Sequence, residues 1–82
     1  MATMRITVLF FSFAADRMNA RERAYELEAP LTVAEFFDQS LARPLGEPLA
    51  AWLFSVNQEW ASPEYLLQEG DEMAVVPPVS GG

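Results

Sequence analysis

The sequence predicts an α+β domain in which one main helix lies across a mixed β-sheet. Three observations lead to this prediction: an apolar, β-branched segment near the start, a helix start with a clear capping pattern, and a second apolar segment that a proline ends. The chain has 82 residues and shows no repeat or internal linker. We therefore expect one domain over residues 1–76, followed by an extended tail over residues 77–82.

The first two strands are predicted as a hairpin. Residues 4–12 ("MRITVLFFS") are rich in β-branched and aromatic side chains and become apolar on both faces, as in an interior strand. Residues 16–21 break this pattern, and Asp16 and Arg17 are interpreted as turn residues. Residues 23–28 then alternate between polar and apolar positions, which predicts a half-exposed strand paired with the first.

The main helix has the clearest local signal in the chain. Thr32 is a candidate N-cap and Glu35 follows three residues later, which is the pattern of a capping box. The apolar residues of the predicted helix then recur at helical spacing on one face: Val33, Phe36, Phe37 and Leu41. We expect the helix to end near Arg43, because Pro44 disfavours helical geometry in the residue before it.

The second half of the chain predicts three more strands, at residues 52–57, Glu59–Ala61 and Glu72–Val76. The stretch "SPEYLL" is compatible with one helical turn, and Gly70 marks a tight turn. Pro77 ends the last strand because it has no N–H to donate to a neighbouring strand. We expect this last strand to lie parallel to the first.

The composition narrows the classes of function. The net charge is −7, and all five basic residues are Arg. Such a chain repels nucleic acid and anionic membranes, and a protein with a basic face is the expected partner. The sequence has no Cys and no His, which excludes disulfides, thiolate catalysis and the commonest metal ligand. A chain without disulfides suits the cytoplasm.

The first fifteen residues also imitate a signal peptide, since a basic residue precedes about ten mostly apolar positions and then small ones. The segment is well short of the roughly 20 residues that span a membrane. The competing interpretation, which we favour, is a buried strand.

Few side chains are candidates for chemistry. Asp71 with Glu72, and Glu35 with Asp38, could form an acid–base or metal site, but solvated surface charge is the simpler interpretation. Neither cofactor-binding nor metal-binding residues are therefore predicted. Trp52 and Tyr65 are expected in or near the core.

Trp60 lies in a short predicted strand beside Glu59 and leaves two interpretations open: a core residue, or an exposed anchor for a protein partner.

The tail "PPVSGG" ends in the terminal carboxylate of Gly82. This is the one group in the chain that suits activation toward a nucleophile, for example as an acyl-adenylate made from ATP. Pro77 and Pro78 favour an extended backbone at about 3.1 Å per residue, so residues 77–82 reach on the order of 18 Å. Glycine has no Cβ, so Gly81 and Gly82 suit a narrow channel, with Val79 and Ser80 leading into it. We predict a stiff probe that delivers one carboxylate to another protein's active site.

These features together resemble the small subunit of molybdopterin synthase, a ubiquitin-like sulfur carrier of the β-grasp fold. The resemblance covers nearly the whole chain, and its most specific motif is the Pro-Pro-Val-x-Gly-Gly ending. The matching pieces are "VLFF" at 8–11, "VNQ" at 56–58, "GDEMA" at 70–74 and "PPVSGG" at 77–82.

The resemblance implies a role in building the molybdenum cofactor. An activating enzyme related to ubiquitin-activating enzymes would use ATP to adenylate Gly82, and a sulfur donor protein would convert the adenylate to a thiocarboxylate. The large synthase subunit, in a heterotetramer, would then use that sulfur on cyclic pyranopterin monophosphate. The carrier itself would bind no cofactor. The matching positions for partner contacts are Trp60 and Val76, together with Phe11 at the end of "VLFF".

The segment 12–17 departs from the family, and Arg17 is a candidate replacement for the family's basic residue there. Other functions stay open: a sulfur carrier for thiamine or another thio-cofactor, a ubiquitin-like modifier joined to protein lysines, or an acidic interaction domain with a frayed tail.

Overall fold

The structure is a computed structural model that describes residues 3–77. Its sheet has five strands in the order β2-β1-β5-β3-β4, with β1 and β5 parallel and the other neighbours antiparallel. The strands are β1 (Met4–Phe10), β2 (Glu22–Leu27), β3 (Leu53–Val56), β4 (Glu59–Ala61) and β5 (Glu72–Val76). The helices are α1 (Phe13–Met18) and α2 (residues 33–45), and a 3₁₀ turn covers Leu49–Ala51. This is the arrangement expected of a β-grasp domain, including the parallel pairing of the first and last strands.

The core lies between α2 and one face of the sheet. The ring of Phe37 meets that of Phe54 edge-on at 5.8 Å between centroids, and Phe36 meets Tyr25 in the same way at 5.0 Å. All four residues of the predicted helix face are buried, which confirms that face as core. The sheet contributes alternate residues to the same core: Ile6, Val8, Phe10, Leu27, Phe54, Val56, Met73 and Val75.

The start of α2 follows the prediction, and its end does not. Thr32 accepts a hydrogen bond from the Glu35 N–H at 3.1 Å, and the Glu35 carboxylate accepts one from the Thr32 N–H at 2.9 Å. The predicted end near Arg43 is wrong, because the helix continues to Leu45 and stops at Gly46, whose φ is +78°. A π turn over Phe37–Leu41 directly precedes the last α-helical segment, so Pro44 falls in that segment's first turn. The backbone N–H that proline lacks costs the least stability in the first turn of a helix.

The prediction of a turn at residues 16–21 is wrong for its first half, because α1 extends to Met18. Asp16 and Arg17 lie within the helix, and the chain reverses only at Asn19, which has a left-handed backbone with φ of 54°. The carbonyl of Met18 accepts a hydrogen bond from the Arg23 side chain at 3.0 Å. The side chains of α1 that reach the core are Ala14 and Met18.

The remaining differences are small shifts of strand ends and one wrong turn. β1 ends at Phe10 instead of Ser12, since Ser12 has a φ of 56° that no strand adopts. The stretch "SPEYLL" forms a β-turn in place of the predicted helical turn, and the Tyr65 N–H donates to the Ser62 carbonyl at 3.0 Å to close it. Leu66 then forms an isolated β-bridge with Thr32.

The interpretation of the first apolar segment as a strand is confirmed by its place inside the sheet. Within residues 3–77, no helix combines the length and the apolar run that a membrane crossing requires.

Candidate functional site

The last strand, β5, is the middle strand of the sheet, and it carries the chain to its exit. Val76 is in register with Leu53 of β3 on one side. On the other side the N–H of Phe11 donates to the carbonyl of Val75 at 3.2 Å. The chain therefore leaves the sheet between Phe11 and Leu53, and the structure brings the two predicted interface residues Phe11 and Val76 together at this exit.

The predicted tail residues fall almost entirely beyond the part of the chain that is described. Pro77 is buried directly after β5, at the edge of the packed domain. Pro78, Val79, Ser80, Gly81 and Gly82 lie outside the described residues. Their predicted roles in threading and in chemistry, and the division at residue 76, stay predictions.

Trp60 is the most exposed large apolar side chain among residues 3–77. It lies on the edge strand β4, in register with Ser55, and 71% of its surface is exposed. This excludes the interpretation of Trp60 as a core residue, while its use in an interface stays a prediction. Trp60 and Val76 share a face of the sheet, but they lie two strands apart, about 10 Å across it.

The face that carries Trp60 is the one opposite α2. Strand register places one row of side chains across this face: Leu9, Ala74, Ser55 and Trp60. Glu22 is in register with Leu9 at the far end of the row. Beside Trp60, Glu59 and Glu64 line an open cleft of about 510 Å³. Apart from Ser55 the row is apolar, and it is acidic at both ends, which suits a partner with basic residues around an apolar centre.

Asp71 contradicts the interpretation of the Asp71–Glu72 pair as solvated charge. Only 6% of its surface is exposed, although Glu72 beside it is exposed. Its carboxylate accepts hydrogen bonds from Asn57 Nδ2 at 2.9 Å, the Tyr65 hydroxyl at 3.1 Å and the Gln68 N–H at 2.8 Å. The role of Asp71 is therefore structural, because it joins the turn between β3 and β4 to the segment between β4 and β5 at one end of the sheet.

The same network reaches the turn between β3 and β4. Asn57 and Gln58 both have positive φ, 53° and 73°, as in a type I′ hairpin turn. The Asn57 side chain donates to Asp71 and accepts from the N–H of Glu72 at 3.0 Å, so it connects the turn to β5. Partial burial, and then the neighbouring Asp71 carboxylate, raise the pKa of Tyr65 above its usual value of 10.

The other acidic candidates have no site around them. Glu35 is committed to the helix cap, and Asp38 is exposed on the π turn. Among the described residues, no group of three or more acidic side chains is placed to hold a metal ion.

Arg17, the candidate basic contact, is engaged within the domain. Its guanidinium donates to the carbonyl of Leu45 and lies 3.5 Å from the carboxylate of Glu47. It also lies 4.7 Å from the centre of the Phe13 ring. Arg17 therefore caps the end of α2, where a positive charge is favourable, and holds α1 against it.

Two exposed residues near the exit were not singled out from the sequence. Leu53 and Phe13 are 45% and 41% exposed. The signal for Leu53 was available, because it alternates with Trp52 and Phe54 in a predicted strand and therefore faces away from the core. Phe13 could not be placed without knowledge of α1.

Residues 8–82 match the model of the ThiS family. The chain is 31% identical to the molybdopterin synthase sulfur carrier subunit of Chlamydomonas reinhardtii, over 96% of this chain and 100% of that protein. It is 24% identical to the protein of the same name from Arabidopsis thaliana, over 99% of this chain and 86% of that protein.

Solved structures share the fold. SAMP1 from Haloferax volcanii matches with a TM-score of 0.76 and 26% identity, over 95% of this chain and 99% of that one. A chain from the complex of subunits 1 and 2 of the molybdopterin-converting factor of Helicobacter pylori matches with a TM-score of 0.63 and 23% identity, over 96% and 100% of the two chains.

Proposed function

The chain belongs to the ThiS family, and from this membership we propose that it is the sulfur carrier of molybdenum cofactor biosynthesis. The observation that carries the proposal is the similarity to a molybdopterin synthase sulfur carrier subunit along the full length of that relative. The family match also extends through the Gly-Gly ending, which is where the proposed chemistry takes place.

The proposed chemistry takes place at the terminal carboxylate of Gly82. A carboxylate oxygen attacks the α-phosphate of ATP in the active site of the activating enzyme, and pyrophosphate leaves. Hydrosulfide supplied by the donor protein then attacks the carbonyl carbon of the acyl-adenylate, the bond to AMP breaks, and loss of the S–H proton leaves a thiocarboxylate. ATP is thus used by the activating enzyme, and the carrier contributes a correctly placed chain end. Activation is needed because a carboxylate anion resists nucleophiles.

The proposed partners are the large synthase subunit, the activating enzyme and the sulfur donor protein. A complex of subunits 1 and 2 exists for the similar Helicobacter pylori protein, which supports the first of these. In the proposed heterotetramer the large subunit takes residues 78–82 into its active site, where sulfur passes to cyclic pyranopterin monophosphate. Trp60, Val76 and Phe11 contact partners from the exposed face and the exit.

The experiment is a mass measurement on the intact chain. After incubation with the cognate activating enzyme, ATP and a sulfur source, the mass should rise by the exchange of one oxygen for sulfur, located on the C-terminal peptide. Deleting Gly82, or adding one residue after it, should abolish both the mass change and sulfur transfer while thermal unfolding stays the same. A lengthened chain that still delivered sulfur at the normal rate would refute the proposal.

A second candidate function is protein modification. The reason is the similarity to SAMP1 of Haloferax volcanii, whose full name is small archaeal modifier protein 1. A modifier uses the same activated end, but a lysine amine displaces AMP and an isopeptide bond results. Mass spectrometry of tryptic digests from cells separates the two functions. Peptides with a branch derived from the C-terminal residues on lysine would favour modification, and a thiocarboxylate with no such branch would favour sulfur transfer.

A further inference from the structure

The strand β2 leaves one side of the sheet unpaired. It stands first in the order β2-β1-β5-β3-β4, and within residues 3–77 no strand pairs with its other side. β2 has six residues, which gives it a length of about 20 Å at the usual rise per residue. The strand at the opposite edge, β4, has three residues. β2 is therefore the longer of the two edges to which a further strand could be added.

The register of β1 with β2 shows which backbone groups point to this free edge. The Phe10 N–H donates to the Arg21 carbonyl at 2.9 Å, so Arg21 faces β1. In an antiparallel pair, residues that bond to the neighbouring strand alternate with residues that do not. The N–H and C=O groups of Glu22, Ala24 and Glu26 therefore point away from β1. The same three residues are exposed, so the described part of the chain leaves this edge open to solvent.

The side chains along the free edge are mainly acidic. Glu22 and Glu26 are two of the three outward-facing residues, and Glu28 follows just after the strand ends. The one basic side chain within β2 is that of Arg23, and it is turned toward α1, where it donates to the Met18 carbonyl at 3.0 Å. A strand added at this edge therefore meets carboxylates that have no basic partner in β2 itself.

Two other arginines lie close to the edge. Arg5 of β1 is in register with Glu26, and Arg21 directly precedes β2. Neither forms an ion pair with another residue of the described part of the chain. The whole chain has a net charge of −7, so a basic partner is favoured at this edge.

A cleft of about 350 Å³ lies beside the same edge, between the end of β2 and α2. Leu27 and Leu31 form its apolar part, and Gln39 and Ser40 line it from α2. Alternate side chains of an added strand point to opposite faces of the sheet. One row would lie beside the outward-facing carboxylates, and the other would reach this cleft. The segment that fits has basic residues in the first row and apolar residues in the second.

A second copy of β2 does not meet this requirement. If two copies pair antiparallel with Ala24 opposite Ala24, Glu22 lies opposite Glu26 twice. If the pair is centred on Tyr25 instead, Glu22 lies opposite Glu28 twice. Like charges directly opposite each other destabilise a strand pair. The fitting partner is therefore a different protein.

We propose that the free edge of β2 binds an extended segment of a partner protein in which Lys or Arg alternates with apolar residues, and that this segment adds to the sheet as a sixth strand. Its backbone bonds to Glu22, Ala24 and Glu26, and its basic side chains pair with the two carboxylates. β2 and β4 lie at opposite edges, about 19 Å apart, so this partner can stay bound while the face that carries Trp60 contacts another protein. The inference does not depend on the proposed function.

The test titrates the full chain, isotope-labelled for NMR, with a synthetic peptide of alternating Val and Lys residues that is as long as β2 and capped at both ends. A matched peptide with Glu in place of each Lys is the control for charge. We expect the Lys peptide to shift the amide signals of Glu22, Ala24 and Glu26. It should also slow their hydrogen exchange by about tenfold or more, because these N–H groups gain acceptors. The Glu peptide should leave the signals unchanged.

Variants of the edge separate the backbone contribution from the charge contribution. Ala24→Pro removes the central outward N–H and none of the bonds to β1, and proline is tolerated at such a position of an edge strand. It should raise the Kd of the Lys peptide by about tenfold or more. The double variant Glu22→Gln with Glu26→Gln should raise this Kd by about fivefold. Glu59→Gln, the same change of charge on β4, is the matched control and should leave the Kd within about twofold.

Thermal unfolding shows whether Ala24→Pro still folds, and the double variant tests the inference if it does not. The inference is overturned if the Lys peptide leaves the β2 signals unchanged, or if the Glu peptide binds as tightly. It is also overturned if the folded edge variants bind the Lys peptide as tightly as Glu59→Gln does. A dimer in sedimentation equilibrium that protects the same amides without peptide would refute it as well, because a second copy would then occupy the edge.

Discussion

Asp71→Asn should destabilise the domain by about 2–4 kcal/mol, although it replaces one polar side chain by another of the same shape. The carboxylate accepts one hydrogen bond at Oδ1, from Asn57, and two at Oδ2, from Tyr65 and Gln68. An amide can keep the pair at one oxygen, but its NH₂ group then faces the Asn57 NH₂ group. One hydrogen bond to a charged group, worth about 1.5–3 kcal/mol, is lost, and two others become neutral and weaker.

Urea unfolding followed by tryptophan fluorescence gives the free energy and the m-value. Glu72→Gln is the control, since it makes the same change of charge at the next residue, which is exposed. It should cost less than about 0.5 kcal/mol. If Asp71→Asn costs no more than Glu72→Gln, the network around Asp71 contributes nothing and its burial has another cause.

Three further predictions concern the core, the exposed face and the hairpin turn. Phe37→Ala removes a buried ring that packs on Phe54 and should cost about 3–5 kcal/mol in urea unfolding; a loss below about 1 kcal/mol would contradict the helix packing. Trp60→Ala should weaken binding to the large subunit and leave Tm nearly unchanged, because the side chain is mostly exposed; a collapse of Tm would make Trp60 structural. Gln58→Gly should stabilise the domain by about 0.5–1 kcal/mol, because glycine adopts the positive φ of the turn without strain. Gln58→Ala keeps the Cβ and should give no such gain, so equal stabilisation by both would argue against backbone strain.

The sequence predicted the features that depend on neighbours along the chain. The capping box joins Thr32 and Glu35, which are three residues apart, and its geometry follows from residue type alone. β5 was predicted with the bounds that the structure gives, since an apolar run between Gly70 and Pro77 leaves little freedom for its ends.

Local helices without such signals were missed or misplaced. α1 has six residues, too few for a helical period to show, and Ser12 before it makes no side-chain cap. In α2 the π turn allowed the helix to continue through Pro44, and a π turn has no sequence signature. The first error omitted a short helix and the second misplaced a helix end, and neither affected the order of the strands.

Burial of single polar or aromatic residues required the tertiary structure. Asp71 obtains its partners from positions 6 and 14 residues away, and no pattern in its own segment indicates them. Whether Trp60 is exposed depended on β4 lying at the sheet edge, which composition could not decide. The function proposed for the tail required no tertiary structure, because it depends only on the backbone of "PPVSGG" and on its terminal carboxylate.

Because β5 lies in the middle of the sheet, the residues that stabilise the domain differ from those that are available for partner binding. β5 is bonded to β1 on one side and to β3 on the other, and Met73 and Val75 are fully buried. The strand that precedes the chain end is therefore among the best anchored, and the chemistry proposed at residue 82 would take place beyond this anchored strand. Exposed residues on the outer face of the sheet, such as Trp60, are available for binding because the core does not depend on them. Variants should accordingly divide into two classes: those at Phe37 or Asp71 should lower stability, and those at Trp60 should lower affinity for the large subunit at nearly constant Tm.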